Sequence, residues 1–275
     1  MKKTLFLLAA LAVLAGCGNN KQNNNPEPKQ DSFTVETYDV IGDQLFATEG
    51  EGENAYEVRG SYQCTIDIPV TDNQALRDSI CYWIAQNFGS SYDGDPSDLK
   101  AMINFYKNWA LDPDDYVEPE GFDISYTVRM LEATDQYVTY SFENFYETSS
   151  SPRGYTEKNY RTFDRNTGKH FTRQMVKADE TLEELVMSTL LEQYFSDIYP
   201  DDDYADLLFF DPDDLEERGF WLPEFTDPFL HYDNLYFYYW EHDIADRVTG
   251  QPNCSLPYDV IEPYLTEEGK HYFNH

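Results

Sequence analysis

Polar and apolar side chains alternate along several strand-length segments of the sequence. Residues 122–131 and 137–146 alternate in this way, are rich in aromatic and β-branched side chains, and are joined by a short polar connection at 133–136. A two-residue period places every second side chain on one face of a strand, and a short connection between two such segments favours a hairpin. We therefore predict an antiparallel hairpin that a third strand, at residues 155–163, extends into a meander.

A helical period of three to four residues appears in three other segments, at residues 72–88, 98–109 and 181–199. Thr71 or Asp72 is the predicted N-cap of the first helix, and Thr181 with Glu184 would form a capping box at the start of the third. Further strands are predicted at residues 33–40, 56–70, 234–240 and 254–256. This order of elements predicts an α+β fold in which an antiparallel sheet meander has helices packed on one face.

The first 17 residues resemble the signal of a bacterial lipoprotein. Lys2 and Lys3 precede an apolar run at 5–13, which is shorter than the roughly 20 residues of a membrane-spanning helix. The run ends in Leu-Ala-Gly-Cys, which looks like a lipobox with Cys17 as its acceptor. We predict a signal peptide at 1–16 and attachment of diacylglycerol and fatty acyl chains such as palmitate at Cys17. An ordinary secretory signal with an incidental cysteine is the alternative.

Residues 17–32 are polar and rich in asparagine, which is typical of a flexible tether. Since acyl chains would hold the mature chain at a membrane, we expect it in the cell envelope, lipid-anchored at the outer membrane. Whether it faces the periplasm or the cell surface stays open.

The composition excludes several classes of protein. Aspartate and glutamate total 52 residues against 19 lysines and arginines, so the formal net charge is −33. Such a charge argues against binding nucleic acid or docking on anionic lipid through a basic surface. Hydrophobic residues make up 41% of the chain and aromatic residues 16%, which is too much apolar material for an intrinsically disordered protein.

The cysteines after position 17 leave one alternative open. Cys64 lies on the apolar face of a predicted strand and Cys81 at the edge of a helical stripe, so both could reach one interface. An envelope location permits a disulfide between them. The equal alternative is that both cysteines are unbridged and pack as small buried apolar residues. His271 and His275 are four residues apart, but no third ligand is near, so we predict no metal site and no cofactor.

One aromatic segment and one histidine are candidates for a site. In residues 234–240, Tyr236, Tyr238 and Trp240 share the face opposite the predicted core. We expect this face to pack, with a stacking surface for a sugar or a protein as the alternative. His242 lies between two acids and could act as a general base, but we favour a surface histidine at a strand end. Nucleophile elbows, phosphate loops and dinucleotide fingerprints are absent from the sequence.

Three blocks of the second half resemble a widespread bacterial domain of unknown function. The first is the strand at 138–145 with the turn at 150–154, the second is Thr-Phe-Asp-Arg-Asn-Thr-Gly-Lys at 162–169, and the third runs from residue 235 to 258. The sequence departs from the family at Arg153, where the family has histidine. Residues 33–135 resemble the partner domain that usually precedes it, so two subdomains are predicted, 33–135 and 136–275.

The resemblance implies an extracytoplasmic module that binds something, since the family domain forms the outer part of a lysozyme-sensing anti-sigma factor and accompanies a peptidoglycan deacetylase. We predict a non-enzymatic envelope protein that binds a cell-wall component or a cationic, lysozyme-like protein. The candidate ligand-binding residues are Arg153, Tyr236, Tyr238, Trp240 and His242. The alternative is a peptidoglycan or glycan hydrolase or deacetylase, or an accessory to one.

Overall fold

The computed structural model describes residues 32–115, 120–196, 208–209 and 225–273, without the side chains of Glu53, Asp115, Pro152 and Arg153. The predicted signal peptide, Cys17 and all but the last residue of the predicted tether lie outside the described residues. The strands are β1 (Thr34–Glu49), β2 (Tyr56–Val70), β3 (Phe122–Ala133), β4 (Tyr137–Thr148), β5 (Ser151–Asp164), β6 (Phe229–His231), β7 (Asn234–Tyr238) and β8 (Asn253–Pro257). The longer helices are α1 (Gln74–Phe88), α2 (Leu99–Ala110) and α3 (Glu180–Leu190), and short helical turns occur at Tyr258–Ile261 and Glu267–His271.

Strands β1 to β5 form one sheet in sequence order, which confirms the predicted α+β class. The meander is antiparallel except at one pair, since β2 and β3 run parallel with Ile66 beside Val128. The reason lies in the connection: α1 and α2 cross one face of the sheet between β2 and β3 and so return the chain in the same direction. An alternating pattern marks a strand but does not fix its direction.

Helices α1 and α2 cover that face. The side chain of Asn73 accepts a hydrogen bond from the backbone N–H of Leu76, so the N-cap lies one residue beyond the two predicted candidates. Leu76, Ile80 and Ile84 are fully buried against the sheet, as the helical spacing predicted. Cys64, Ile66, Tyr140 and Phe142 of the sheet belong to the same hydrophobic cluster.

A second layer follows β5. Strands β6, β7 and β8 form an antiparallel sheet, and the apolar face of β7 packs in a cluster with α3. Asp179 caps α3 by accepting from the backbone N–H of Leu182, so the predicted capping box beginning at Thr181 is wrong. The carboxylate of Asp179, two residues earlier, already accepts the N–H of Leu182 in the first turn. After Leu190 the helix passes into a π-helical segment, Leu191–Phe195, and the predicted end at residue 199 lies outside the described residues.

The two sheets are joined by a closed ring of hydrogen bonds. Thr139 Oγ1 donates to the carbonyl of Leu230 over 2.8 Å, and the Leu230 N–H donates to Thr162 Oγ1 over 2.9 Å. The remaining bond joins the two threonine hydroxyls over 2.8 Å. Because Thr139 has already used its only hydrogen, Thr162 must donate in that bond. Every polar atom of this buried contact is therefore paired.

The predicted boundary at 135–136 falls in the tight connection between β3 and β4 of one sheet. The described chain is one compact unit. Its two hydrophobic clusters separate near the end of β5, since one runs as far as Phe163 and the other takes Tyr137 and residues from Phe171 onward. Hairpin hydrogen bonds continue the sheet across residue 135, so no core can end there.

The turn at 164–168, at the end of β5, packs against the start of α1. Asp164 Oδ1 accepts from the backbone N–H groups of Asn166 and Thr167 over 3.0 and 2.7 Å. Gly168 has a φ of 70°, and a Cβ there would lie 2.6 Å from the carbonyl oxygen of Ala75 in α1. Only glycine tolerates both the backbone conformation and this approach. The second block of the family resemblance is therefore a structural turn that seats α1.

Candidate functional site

A cavity of about 550 Å³ opens between β5 of the first sheet and the edge of the second sheet. Volumes of roughly 300–1,000 Å³ are typical of small-molecule sites. Its wall is formed by Leu131, Thr156, Lys158, Tyr160, Tyr194, Phe229, His231, Tyr236, Tyr238, Glu241, Gly250, Gln251 and Asn253. Five of these thirteen residues are tyrosine or phenylalanine and six have polar or charged side chains, so the wall combines aromatic rings with polar groups.

Three of these rings stack in a column. Phe229 lies nearly parallel to Tyr160, with ring centroids 4.2 Å apart and planes 10° apart. Phe229 also stacks with Tyr236, with ring centroids 4.9 Å apart and ring planes 17° apart. Phe229 is buried, whereas Tyr160 and Tyr236 are half-buried. The column therefore places one partly exposed tyrosine at each end, and Tyr160 is also contacted by the ring of Tyr238, with centroids 5.3 Å apart.

The side chains of the aromatic segment of β7 alternate between two faces of the strand, as the sequence pattern predicted. Leu235 and Phe237 are fully buried in the second core. On the opposite face, Tyr236 and Tyr238 both line the cavity, and Trp240 is half-buried with its ring 6.0 Å from that of Tyr238. The expectation that this face packs holds for Tyr238, which is 3% exposed, but Tyr236 is open to the cavity.

The charged groups of the wall have partners of opposite charge. Lys158 Nζ lies 3.0 Å from Glu143 Oε2. Glu241 Oε2 lies 3.2 Å from Arg247 Nε, and the Arg247 guanidinium sits 4.7 Å from the ring centroid of Tyr155. These pairs leave the cavity with little unbalanced charge.

Two amide side chains line the rim beside these pairs. Gln251 binds the backbone of Lys158 twice, accepting its N–H over 2.8 Å and donating to its carbonyl over 2.9 Å. The Asn253 side chain donates to the backbone carbonyl of Gln251 over 3.1 Å. The Gln251 bonds cover part of the free edge of β5 and fix the β7–β8 connection against it. Each amide keeps further donor and acceptor positions beyond these bonds.

Tyr194 reaches the cavity from the π-helical segment. Its hydroxyl donates to the carbonyl of Thr249, in the helical turn Arg247–Thr249 of the β7–β8 connection. A π-helical turn inserts an extra residue and shifts the side chains that follow, and such turns occur often at functional sites. Here it brings a tyrosine to the wall opposite β5.

Glu132 fixes the hairpin that carries His231. Its Oε2 accepts from the hydroxyl of Tyr137 and from the backbone N–H of Tyr232, both over 2.9 Å. Tyr232 and Asp233 have φ values of 48° and 59°, the left-handed conformation that two-residue hairpin turns need. His231 Nδ1 lies 3.7 Å from the same carboxylate oxygen, which is too far for a hydrogen bond, and this buried nitrogen has no hydrogen-bond partner among the described residues.

Burial controls protonation in the wall. It raises the pKa of Tyr160 to about 12, with further contributions from Tyr238 and Glu143. Burial also raises the pKa of Tyr238. Both hydroxyls therefore stay neutral through the physiological range and keep their protons as hydrogen-bond donors.

His242 is not among the residues that line the cavity. His242 is exposed, has a φ of 70° and stacks on Phe209 with centroids 5.8 Å apart. Arg153 is in β5, and its side chain is outside the described residues. Cys64 and Cys81 are buried free thiols in one hydrophobic cluster, which is the second of the two alternatives for them.

Most of the wall was not predicted from the sequence. Tyr160 and Lys158 belong to the predicted strand at 155–163, but the sequence did not indicate what this strand packs against. Phe229 and Gln251 lie in short segments without a periodic pattern. The one signal that could have found the site is the excess of aromatic residues on both faces of β7.

Among the described residues, no group of three or more His, Cys, Asp and Glu side chains is placed to hold a metal ion. None of the described helices is both long and apolar enough to cross a membrane.

No family model and no curated protein matches this chain in sequence. Solved structures do match it in fold. A DUF3298 family protein from Bacteroides fragilis NCTC 9343 superposes with a TM-score of 0.58 at 16% identity, over 88% of this chain and 96% of that one. A DUF3298 family protein from Pseudomonas aeruginosa PAO1 gives a TM-score of 0.54 at 14% identity, over 86% and 96% of the two chains. This chain therefore has the fold of two solved DUF3298 family proteins.

Proposed function

We propose that this chain is a non-enzymatic protein of the cell envelope that binds a cell-wall ligand in the cavity between its two sheets. The observation that carries the proposal is the column of Tyr160, Phe229 and Tyr236 in the wall of a cavity of about 550 Å³. Aromatic walls with a few fixed polar groups are typical of sites that bind small ligands. The fold shared with the DUF3298 proteins is consistent with such a role and assigns no ligand.

Binding is favoured over catalysis by the state of the acids near the cavity. Glu241 is 15% exposed and lies 3.2 Å from Arg247 Nε, so its carboxylate is already engaged with a partner inside the protein. Glu132 accepts two hydrogen bonds at the β6–β7 hairpin. The alternative, a hydrolase or deacetylase, predicts product release from peptidoglycan that Glu241→Gln abolishes.

The envelope location is supported by the sequence of residues 1–17 alone. A lipid at Cys17 would place the cavity beside the cell wall, where its ligand would be abundant. Growth with labelled palmitate is expected to label the wild-type protein and to leave Cys17→Ala unlabelled. An unlabelled wild-type protein in the soluble fraction would contradict this location.

The test of the binding site uses a muramidase digest of peptidoglycan as the probe. The digest is expected to raise the Tm of the wild-type protein, because a ligand that binds only the folded state stabilises it. Tyr236→Ala should abolish the rise. Tyr56→Ala is the matched control, since Tyr56 is 58% exposed and is not part of the cavity wall. Equal shifts in all three proteins, or none in any, would rule out a cell-wall ligand in this cavity.

A cationic protein is the second candidate partner, favoured by the net charge of −33. A field of this sign steers basic proteins toward the surface and is screened by salt. The two candidates use different parts of the molecule, the general surface charge and the cavity, so substitutions in the cavity should separate them.

A further inference from the structure

We infer that the cavity takes an uncharged saccharide, bound by ring stacking at Tyr236 and by neutral hydrogen bonds from Gln251 and Asn253. This inference rests on the proposed function and narrows its ligand to one chemical class. Four features of the described wall carry it: the aromatic column, the paired charges, the fixed amides and the neutral hydroxyls.

The column holds the ring of Tyr236 in a fixed position, where it supplies a flat apolar surface. Phe229 holds both tyrosines through stacking contacts at 4.2 and 4.9 Å, so neither ring loses much freedom when a ligand arrives. The C–H bonds on one side of a pyranose ring are weakly positive and lie well against the negative face of an aromatic ring. A saccharide has such a face on each unit, whereas its edges carry hydroxyl groups that need hydrogen bonds.

The wall offers little to a charged ligand. Lys158 already lies 3.0 Å from Glu143, and Glu241 lies 3.2 Å from Arg247. An anion or a cation in the cavity would gain one of these partners only by weakening its existing pair. An uncharged ligand leaves both pairs intact, which favours neutral chemistry at this site.

The amides match hydroxyl groups. Gln251 is held by two bonds to the backbone of Lys158, and Asn253 by one bond to the carbonyl of Gln251. A primary amide has two donor hydrogens and an oxygen with two lone pairs, so these bonds leave capacity on both side chains. A donor beside an acceptor in fixed positions can pair with two neighbouring hydroxyls of a sugar.

The tyrosine hydroxyls complete this neutral set. Tyr194 donates to the Thr249 carbonyl, so its hydroxyl is neutral and held in place at the wall. Burial raises the pKa of Tyr160 to about 12, so its hydroxyl stays protonated at the pH of the envelope. The cavity of about 550 Å³ is in the size range of pockets for ligands as large as a di- or trisaccharide.

The experiment is calorimetric titration of the full chain with four trisaccharides that differ in charge. N,N′,N″-triacetylchitotriose and cellotriose are uncharged, the fully deacetylated chitosan trimer is cationic, and trigalacturonate is anionic. At least one uncharged trisaccharide is expected to bind at least about tenfold more tightly than both charged ones. Its affinity should be unchanged by added salt, since no ion pair forms on binding.

Three variants test the mode of binding. Tyr236→Ala should weaken binding of the uncharged trisaccharide about tenfold or more, and Tyr236→Phe, which keeps the ring, should restore most of it. Tyr56→Ala should bind like the wild type. Loss of binding in Tyr236→Phe equal to that in Tyr236→Ala would contradict stacking.

The outcomes separate this inference from the proposed function. If the peptidoglycan digest binds in a Tyr236-dependent way but none of the uncharged trisaccharides binds, the proposed function stands and the saccharide inference is wrong. If a charged trisaccharide binds most tightly, the inference is wrong as well. If neither the digest nor any trisaccharide binds, both fail.

Discussion

At the scale of single residues, burial decides which groups keep their protons. The pKa of Cys64 is raised to about 12, that of Cys81 to about 11 and that of Cys254 to about 12, in each case chiefly by burial. A thiolate is the reactive form of cysteine, so these three thiols are shielded both by their surroundings and by their protonation. The same physics keeps Tyr160 neutral in the cavity wall.

The three thiols give a prediction on pH and reactivity. The folded chain keeps them protonated to higher pH than the unfolded chain, whose cysteines titrate near about 8.5. Their contribution to stability is therefore fully present below about pH 8.5 and is lost as the pH rises through the folded-state values of about 11 to 12. The free energy of unfolding in urea, measured in a Cys17→Ala background, should decline from about pH 8.5 upward.

Cys81→Ala provides the comparison, because it should reduce the slope of that decline. A thiol reagent at pH 8 should label none of the three cysteines before urea is added and all three afterwards. Rapid labelling of the folded protein would show that these thiols are not buried.

At the scale of elements, the molecule depends on how the small sheet meets the large one. Strand β6 is only three residues long, yet it supplies Phe229 and His231 to the cavity and Leu230 to the ring of hydrogen bonds with Thr139 and Thr162. The β7–β8 connection is held against β5 by Gln251. These contacts, and not the strands by themselves, set the width of the cavity.

Thr162→Val tests the hydrogen-bond ring between the sheets. Valine has the shape of threonine without the hydroxyl, so the buried N–H of Leu230 would lose its acceptor. We expect the free energy of unfolding to fall by about 2 kcal/mol, as for other buried groups left without a partner. Thr162→Ser keeps the hydroxyl and should cost clearly less, which separates the hydrogen bond from packing.

Thr65→Val is the matched control on the same sheet. Thr65 is partly exposed, and the change should stay within about 0.5 kcal/mol. A cost for Thr162→Val no larger than that of the control would show that the ring does not hold the sheets together.

At the scale of the whole molecule, charge acts against the compact state. The chain has 52 acidic residues and 19 lysines and arginines, so acidic groups repel one another across the surface. Described ion pairs such as Lys100–Glu36 and Arg59–Asp43 are largely exposed and contribute little. Stability therefore comes from the two hydrophobic clusters, and salt should improve it.

The charge predicts a dependence of stability and binding on salt. Between about 0.01 M and 1 M sodium chloride the screening length falls from about 30 Å to about 3 Å, so the Tm should rise. Binding of a cationic protein such as lysozyme, if it occurs, should be lost over the same range, whereas saccharide binding in the cavity should persist. A Tm that falls with added salt would mean that attractive ion pairs dominate over repulsion.

Local patterns in the sequence predicted many of the elements. Helix α1 was predicted at 72–88 and lies at Gln74–Phe88, because its buried residues recur with the period of a helix. The two faces of β7 were predicted from alternation, because successive side chains of a strand point to opposite sides. The cap of α3 was predicted at the wrong residue, since several side chains near a helix start can accept the same bonds and the fold selects one.

The sequence by itself determined the α+β class, the alternating faces of the strands and the acidic charge, because each depends on residue types and on neighbours a few positions apart. Only the tertiary structure decided the parallel pairing of β2 with β3 and the meeting of Tyr160, Phe229 and Tyr236 in one column. The column joins residues from three strands of two sheets, and the parallel pair joins strands that two helices separate in sequence. These contacts exist because both sheets bury their apolar faces and pair their polar groups at once, a condition on the whole chain that no short pattern contains.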